Sequence, residues 1–171
     1  MTNFFLVPNS TIQWYKLILE AQSYANISLD SEIENYLINL LQQYLTNTEL
    51  TNNIVSLDFL NNLNNNIMND NKLRDTADKC LVLTGLFPGY ADKRKLSLDY
   101  FVNMGQSSYF YLSVTQAKDL RELYESLSEN FSSLSTVLNA IERIKRDTKD
   151  KLESEMHEDG EIIISNDKLY N

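Results

Sequence analysis

Residues 115–146 read TQAKDLRELYESLSENFSSLSTVLNAIERIKR, and this stretch decides the fold. Ala117, Leu120, Tyr124, Leu127, Phe131, Leu134, Leu138 and Ile141 recur at alternating spacings of three and four. That is a heptad seam over more than three heptads, so the segment is helical. Four serines and an asparagine between Ser126 and Ser133 are poor helix formers, so the spacing allows one long helix or two with a break there.

The same period runs through the rest of the chain. Trp14, Ile18, Ala21 and Ala25 predict a first helix after Pro8, capped by Ser10 or Thr11, with Tyr15 and Leu19 beside the stripe. Ile33, Leu37, Leu40, Leu41 and Tyr44 predict a second, starting at Asp30 or Ser31 with Ser31 and Glu34 as a capping box and ending near Thr46. Ile54, Leu57, Leu60, Leu63 and Ile67 mark a weaker third. Leu73, Ala77, Cys80, Leu81 and Thr84 mark a fourth, over about residues 71–84, with Arg74–Asp78 and Asp75–Lys79 as i,i+4 partners. Pro88 ends it by Phe87. Residues 89–95 read as a loop carrying Lys93, Arg94 and Lys95. Ser97 caps a fifth helix lined by Leu98, Phe101, Val102, Gly105, Tyr109 and Leu112.

Composition agrees. Of 171 residues, 4 are Gly and 2 are Pro, too few breakers for an all-β chain. The expected fold is all-α: a bundle-like single domain of five to seven helices over residues 1–146. A loosely held acidic tail over 147–171 follows, with Ile162–Ile164 as a short extended segment. The asparagine-rich stretch Asn61–Asn71 keeps apolar residues at helical spacing, so codon bias explains it better than a binding function.

Charge and motifs exclude several functions. The formal net charge of −9 repels nucleic acid and anionic lipid at long range. No apolar run approaches a membrane span, and Phe4–Val7 is too short for a signal peptide. With Cys80 as the one cysteine, the expected compartment is the cytoplasm. His157 is the one histidine and sits among acidic residues, so no nucleophile–base pair can be drawn. Glu153, Glu155, His157, Glu158 and Asp159 match no metal motif, and no phosphate-binding glycine loop exists. No catalytic residue, metal site or cofactor is expected, and an enzyme is disfavoured. Lys93–Lys95 beside Tyr90 and Tyr100 is the one basic cluster and reads as a solvated loop.

One segment stands apart. Asp78, Leu81, Gly85, Leu86, Phe87 and Pro88 are followed, across the basic loop, by Tyr100, Phe101, Gly105 and Tyr109. The pattern D-x-x-L-x-x-x-G-L-F-P … Y-F-x-x-x-G-x-x-x-Y resembles that of an uncharacterised family of small bacterial helical proteins, over roughly a quarter of the chain. The resemblance implies a helical fold and no particular activity.

Physically the segment is a helical hairpin. Gly85 and Gly105 permit close approach, Phe87 plugs the core and Pro88 stops the helix. The candidate binding surface is Asp78, Phe87, Tyr100, Tyr109 and Tyr111. Tyr109 to Tyr111 span about 200° of helix, so part of this aromatic group faces away from the core. The leading expectation is a protein–protein interaction or regulatory module. A protein partner or self-association would use the surplus aromatics or an uncovered part of the seam. The alternative is a small-molecule-binding bundle with an apolar cleft near Phe87, Tyr100 and Tyr109.

Overall fold

The computed structural model describes residues 11–62 and 69–167. Eight α-helices are formed among them: α1 Thr11–Ala25, α2 Ser31–Leu45, α3 Thr48–Val55, α4 Asp70–Leu86, α5 Gly89–Lys93, α6 Leu98–Thr115, α7 Lys118–Glu129 and α8 Phe131–Asp167. A 3-10 turn, Asp58–Asn62, follows α3. No strand occurs among the described residues. Pro8, the Ser10 cap, Leu63 and Ile67 lie outside them.

Helix α4 is the axis of the fold. Every residue from Thr76 to Leu86 is buried, so the helix is covered on all sides rather than along one stripe. Helix α6 packs against it most extensively, then α8, while α7 lies against α6 and α1 against α8. Asn69 caps α4 by accepting from the Lys72 amide at 2.9 Å. Asp70 accepts from Gln116 Nε2 at 2.7 Å and Thr115 Oγ1 at 3.2 Å, tying the start of α4 to the end of α6. The two helices therefore run antiparallel.

Two glycines set how closely the helices approach. A Cβ on Gly85 would lie 2.5 Å from Leu138 Cβ, and one on Gly105 would lie 2.4 Å from the Phe131 ring. Gly85 lies in the last turn of α4 and Gly105 in the middle of α6, and both make room for α8. Thr84 and Ser135 hydroxyls, 2.7 Å apart, close the polar gap at the same interface. Phe87 is the C-cap of α4 and is buried, and Pro88 stands at the start of α5.

One alternative left open is decided and four expectations are corrected, the first being the helix count: eight α-helices form among the described residues, not five to seven, because the seam divides in two and α3 and α5 are short separate helices. The serine-rich stretch does break the seam: α7 ends at Glu129 and α8 begins at Phe131, with Asn130 as the C-cap. The loop over residues 89–95 contains the single-turn helix α5, after which Lys95 takes a left-handed φ of 55° and redirects the chain. The Ser31–Glu34 capping box does not form; Glu34 is buried and accepts from Gln22 Nε2 at 2.9 Å. That glutamine also accepts from the Leu29 amide at 2.7 Å, so it organises the α1–α2 turn. Last, the backbone is helical through Asp167, so Ile162–Ile164 is not extended. One glycine among Lys, Leu, Glu and Met costs about 1 kcal/mol of helix propensity and does not end a helix.

Of the seam residues, Tyr124, Leu127, Phe131, Leu134, Leu138 and Ile141 are buried within this one chain, while Ala117 and Leu120 are exposed. Helix α8 is 37 residues long, roughly 55 Å at 1.5 Å per residue. Residues 146–157 are exposed on every side.

Candidate functional site

The local pattern of α4 places Arg74, Asp75, Asp78 and Lys79 on two adjoining i,i+4 pairs. Both pairs form. Lys79 Nζ lies 2.8 Å from Asp75 Oδ2, and Arg74 Nε lies 3.8 Å from Asp78 Oδ2.

Asp78 is 4% exposed and is the centre of a buried polar cluster. Its Oδ1 accepts from Tyr109 Oη at 2.7 Å and from Tyr36 Oη at 2.5 Å. Tyr36 comes from α2 and Tyr109 from α6, so one carboxyl oxygen joins three helices. The Tyr36 and Tyr109 rings meet edge to face at 6.2 Å, and Tyr124 of α7 stacks on Tyr109 at 6.2 Å. Tyr44 adds a 3.3 Å hydrogen bond to Asp75.

Burial dominates the electrostatics. It pushes the Asp78 carboxyl up to about 6, against the Tyr36 and Tyr109 hydrogen bonds and the Arg74 charge, which pull it down. Burial and then the Asp78 charge drive the Tyr36 and Tyr109 hydroxyls well above the usual phenol range. Burial likewise raises the Cys80 thiol. A general base must reach the proton it removes. Asp78 is held among its own partners, so this cluster ties three helices together.

Of the five sequence-derived candidates, the structure brings Asp78 and Tyr109 together in the core. Phe87 lies about 13 Å of helix rise further along α4. Tyr100 is the same rise from Tyr109 at the other end of α6, is half exposed, and packs edge to face on Phe101 at 5.2 Å. Tyr109 is therefore set about 13 Å of helix rise away from Tyr100, while Phe87 and Tyr100 lie toward the same end of the antiparallel α4–α6 pair. Where α4 and α6 cross, a Cβ on Gly105 would lie 3.1 Å from Cys80 Cβ, which is close packing.

Tyr111 belongs to a different surface. Helix α6 carries one charged residue, Asp99, in eighteen. On its outer side Tyr100, Ser107, Phe110, Tyr111 and Val114 follow one another at helical spacing. Phe110 is 54%, Tyr111 59% and Val114 62% exposed. A shallow groove of about 360 Å³ runs beside Phe110 and Tyr111, bounded across the α6–α7 junction by Ser128 and Glu129. Gln106 and Ser128 tie that junction, with Ser128 Oγ donating to the Gln106 carbonyl at 2.9 Å.

Tyr36 was missed from the sequence, because it lies 42 residues from Asp78 and nothing local links them. Among the described residues no group of three or more His, Cys, Asp or Glu side chains is placed to hold a metal ion. Nor is any helix among them long and apolar enough to cross a membrane. Comparison of the chain with family models, with curated proteins and with solved structures finds no match.

Proposed function

We propose that this protein is an interaction module that docks a protein partner on the outer face of α6. The observation that carries the reading is the near absence of charge on a helix whose outer side is open. Tyr100, Phe110, Tyr111 and Val114 present apolar area there, while charged residues make up 23% of the chain. Tyrosine and phenylalanine are anchors at protein interfaces, and an apolar patch flanked by polar residues suits a partner helix or strand. Helix α1 also exposes Ile12, Tyr15 and Leu19, but Lys16 and Glu20 interleave them. The seam from Tyr124 onward is spent on the chain's own core, and only its first part, Ala117 and Leu120, is exposed, which is too little apolar area to carry self-association.

The test is partner binding by surface variants. Phe110→Ser and Tyr111→Ser remove exposed side chains, so each is expected to keep the wild-type melting temperature. Each is also expected to weaken binding of a purified partner by about 2 kcal/mol, roughly thirtyfold. Unchanged affinity in the double variant would reject this face.

A further inference from the structure

A second feature lies where α4 ends and α5 begins against α8. Asn139, Glu142, Arg143 and Arg146 line one wall of a pocket there. Their offsets of three, four and seven place them on a single face of α8. Facing them are Pro88, Tyr90 and Lys93. The pocket is a half-open cleft of about 490 Å³, a volume within the range of small-molecule sites.

The lining is positive in an acidic protein. Lys93, Arg143 and Arg146 carry three positive charges and Glu142 one negative, a local net of +2 against −9 for the chain. Among the described residues no carboxylate comes within ion-pair distance of Arg143 or Arg146. Glu142 is i−4 to Arg146 and still does not engage it. Lys93 Nζ sits 4.6 Å above the Tyr90 ring, which holds the ammonium at the rim. Its neighbour Arg94 is turned away and donates to the Ser56 carbonyl at 3.1 Å. The basic run seen in the sequence is thus divided, with one cation turned to the pocket and one used to tie down α3.

Pro88 and Tyr90 are half-buried and form an apolar shelf backed by Phe87. Two guanidinium forks one turn apart, with an ammonium opposite, match a multiply charged tetrahedral oxyanion better than a single carboxylate. We propose that this pocket binds a small phosphorylated ligand, its phosphate held by Arg143, Arg146 and Lys93 and its apolar part lying on Pro88 and Tyr90. A long polyanion is disfavoured: the site is bounded, Glu142 stands inside it, and the surrounding protein is acidic. The pocket shares no residue with the outer face of α6, so either proposal can fail alone.

Isothermal titration of the full chain with inorganic pyrophosphate, at about 0.15 M salt where exposed charges are screened, tests the site. Saturable one-site binding is expected. Arg143→Ala and Arg146→Ala are each expected to weaken it about tenfold, and Glu142→Gln to tighten it about threefold. Arg143 and Arg146 are exposed, so their variants should melt with the wild type. Absence of saturable heat, or an affinity that ignores both arginine substitutions, overturns the proposal. So does tighter binding of polyglutamate than of pyrophosphate at equal charge, which would point to an acidic polypeptide instead.

Discussion

The Tyr109 hydroxyl donates to the Asp78 carboxylate at 2.7 Å, across the interface between α4 and α6. With Tyr36 on the same oxygen, this joins three helices at one buried acceptor. Losing the acceptor strands the fully buried Tyr109 phenol and deprives the partly buried Tyr36 of its partner. Asp78→Ala is therefore expected to cost about 3 kcal/mol or more, a fall in melting temperature of roughly 10 °C. Asp78→Asn keeps the acceptor oxygen and should cost less than about 1 kcal/mol. Chemical denaturation of both variants at neutral pH measures the contrast; equal losses would show that the acceptor is not what matters.

The same carboxyl predicts a pH dependence. Its folded-state value of about 6 lies above the ordinary 3.8, so the native state holds the proton more tightly than the unfolded chain. The stability it contributes is full below about pH 4 and is lost as pH rises through about 6. The swing is on the order of 2 to 3 kcal/mol. Other carboxylates tilt the total curve, so the quantity to measure is the wild type minus Asp78→Asn. That difference should fall between pH 4 and pH 7, and a flat difference would contradict the assignment.

The glycines divide by what surrounds them. Gly85→Ala pushes a methyl against Leu138 Cβ, which cannot swing aside, and Gly105→Ala against the buried Phe131 ring. Alanine gains about 1 kcal/mol of helix propensity, but overpacking costs about 1–3 kcal/mol or more, so both variants should be less stable. Gly89→Ala meets nothing within 4 Å and should be neutral or slightly stabilising. Pairing Gly105→Ala with Phe131→Leu should recover part of the loss, and strict additivity would argue against the contact.

Cys80 should behave as a core residue. It is fully buried and its thiol is raised by that burial. Alkylation by iodoacetamide is expected only at the rate of global opening. Rapid labelling of the native protein would place the thiol at the surface.

What was legible in the sequence was local. The apolar period found α1, α2, α4 and α6, and it found the seam that α7 and α8 divide between them. The i,i+4 rule found Arg74–Asp78 and Asp75–Lys79. The small-residue argument identified Gly85 and Gly105, although Phe131 and Leu138, the residues that fill the space they leave, were not foreseeable. What escaped was long-range. Tyr36 reaches Asp78 only because α2 packs beside α4, and Glu34 abandons its cap because Gln22 captures it from α1. Tyr100 and Tyr109 share a helix, yet about two and a half turns separate them, and no linear motif shows which of the two the core will take.

The central claim is that α6 meets a partner through Phe110 and Tyr111. The most direct measurement is site-specific photocrosslinking in cells, with the crosslinker at position 111 and, as the control, at exposed position 125 on α7. One defined protein adduct at 111, absent at 125 and rebuilt from the two purified proteins, is the predicted result. No adduct at 111, or the same adducts from both positions, would contradict it.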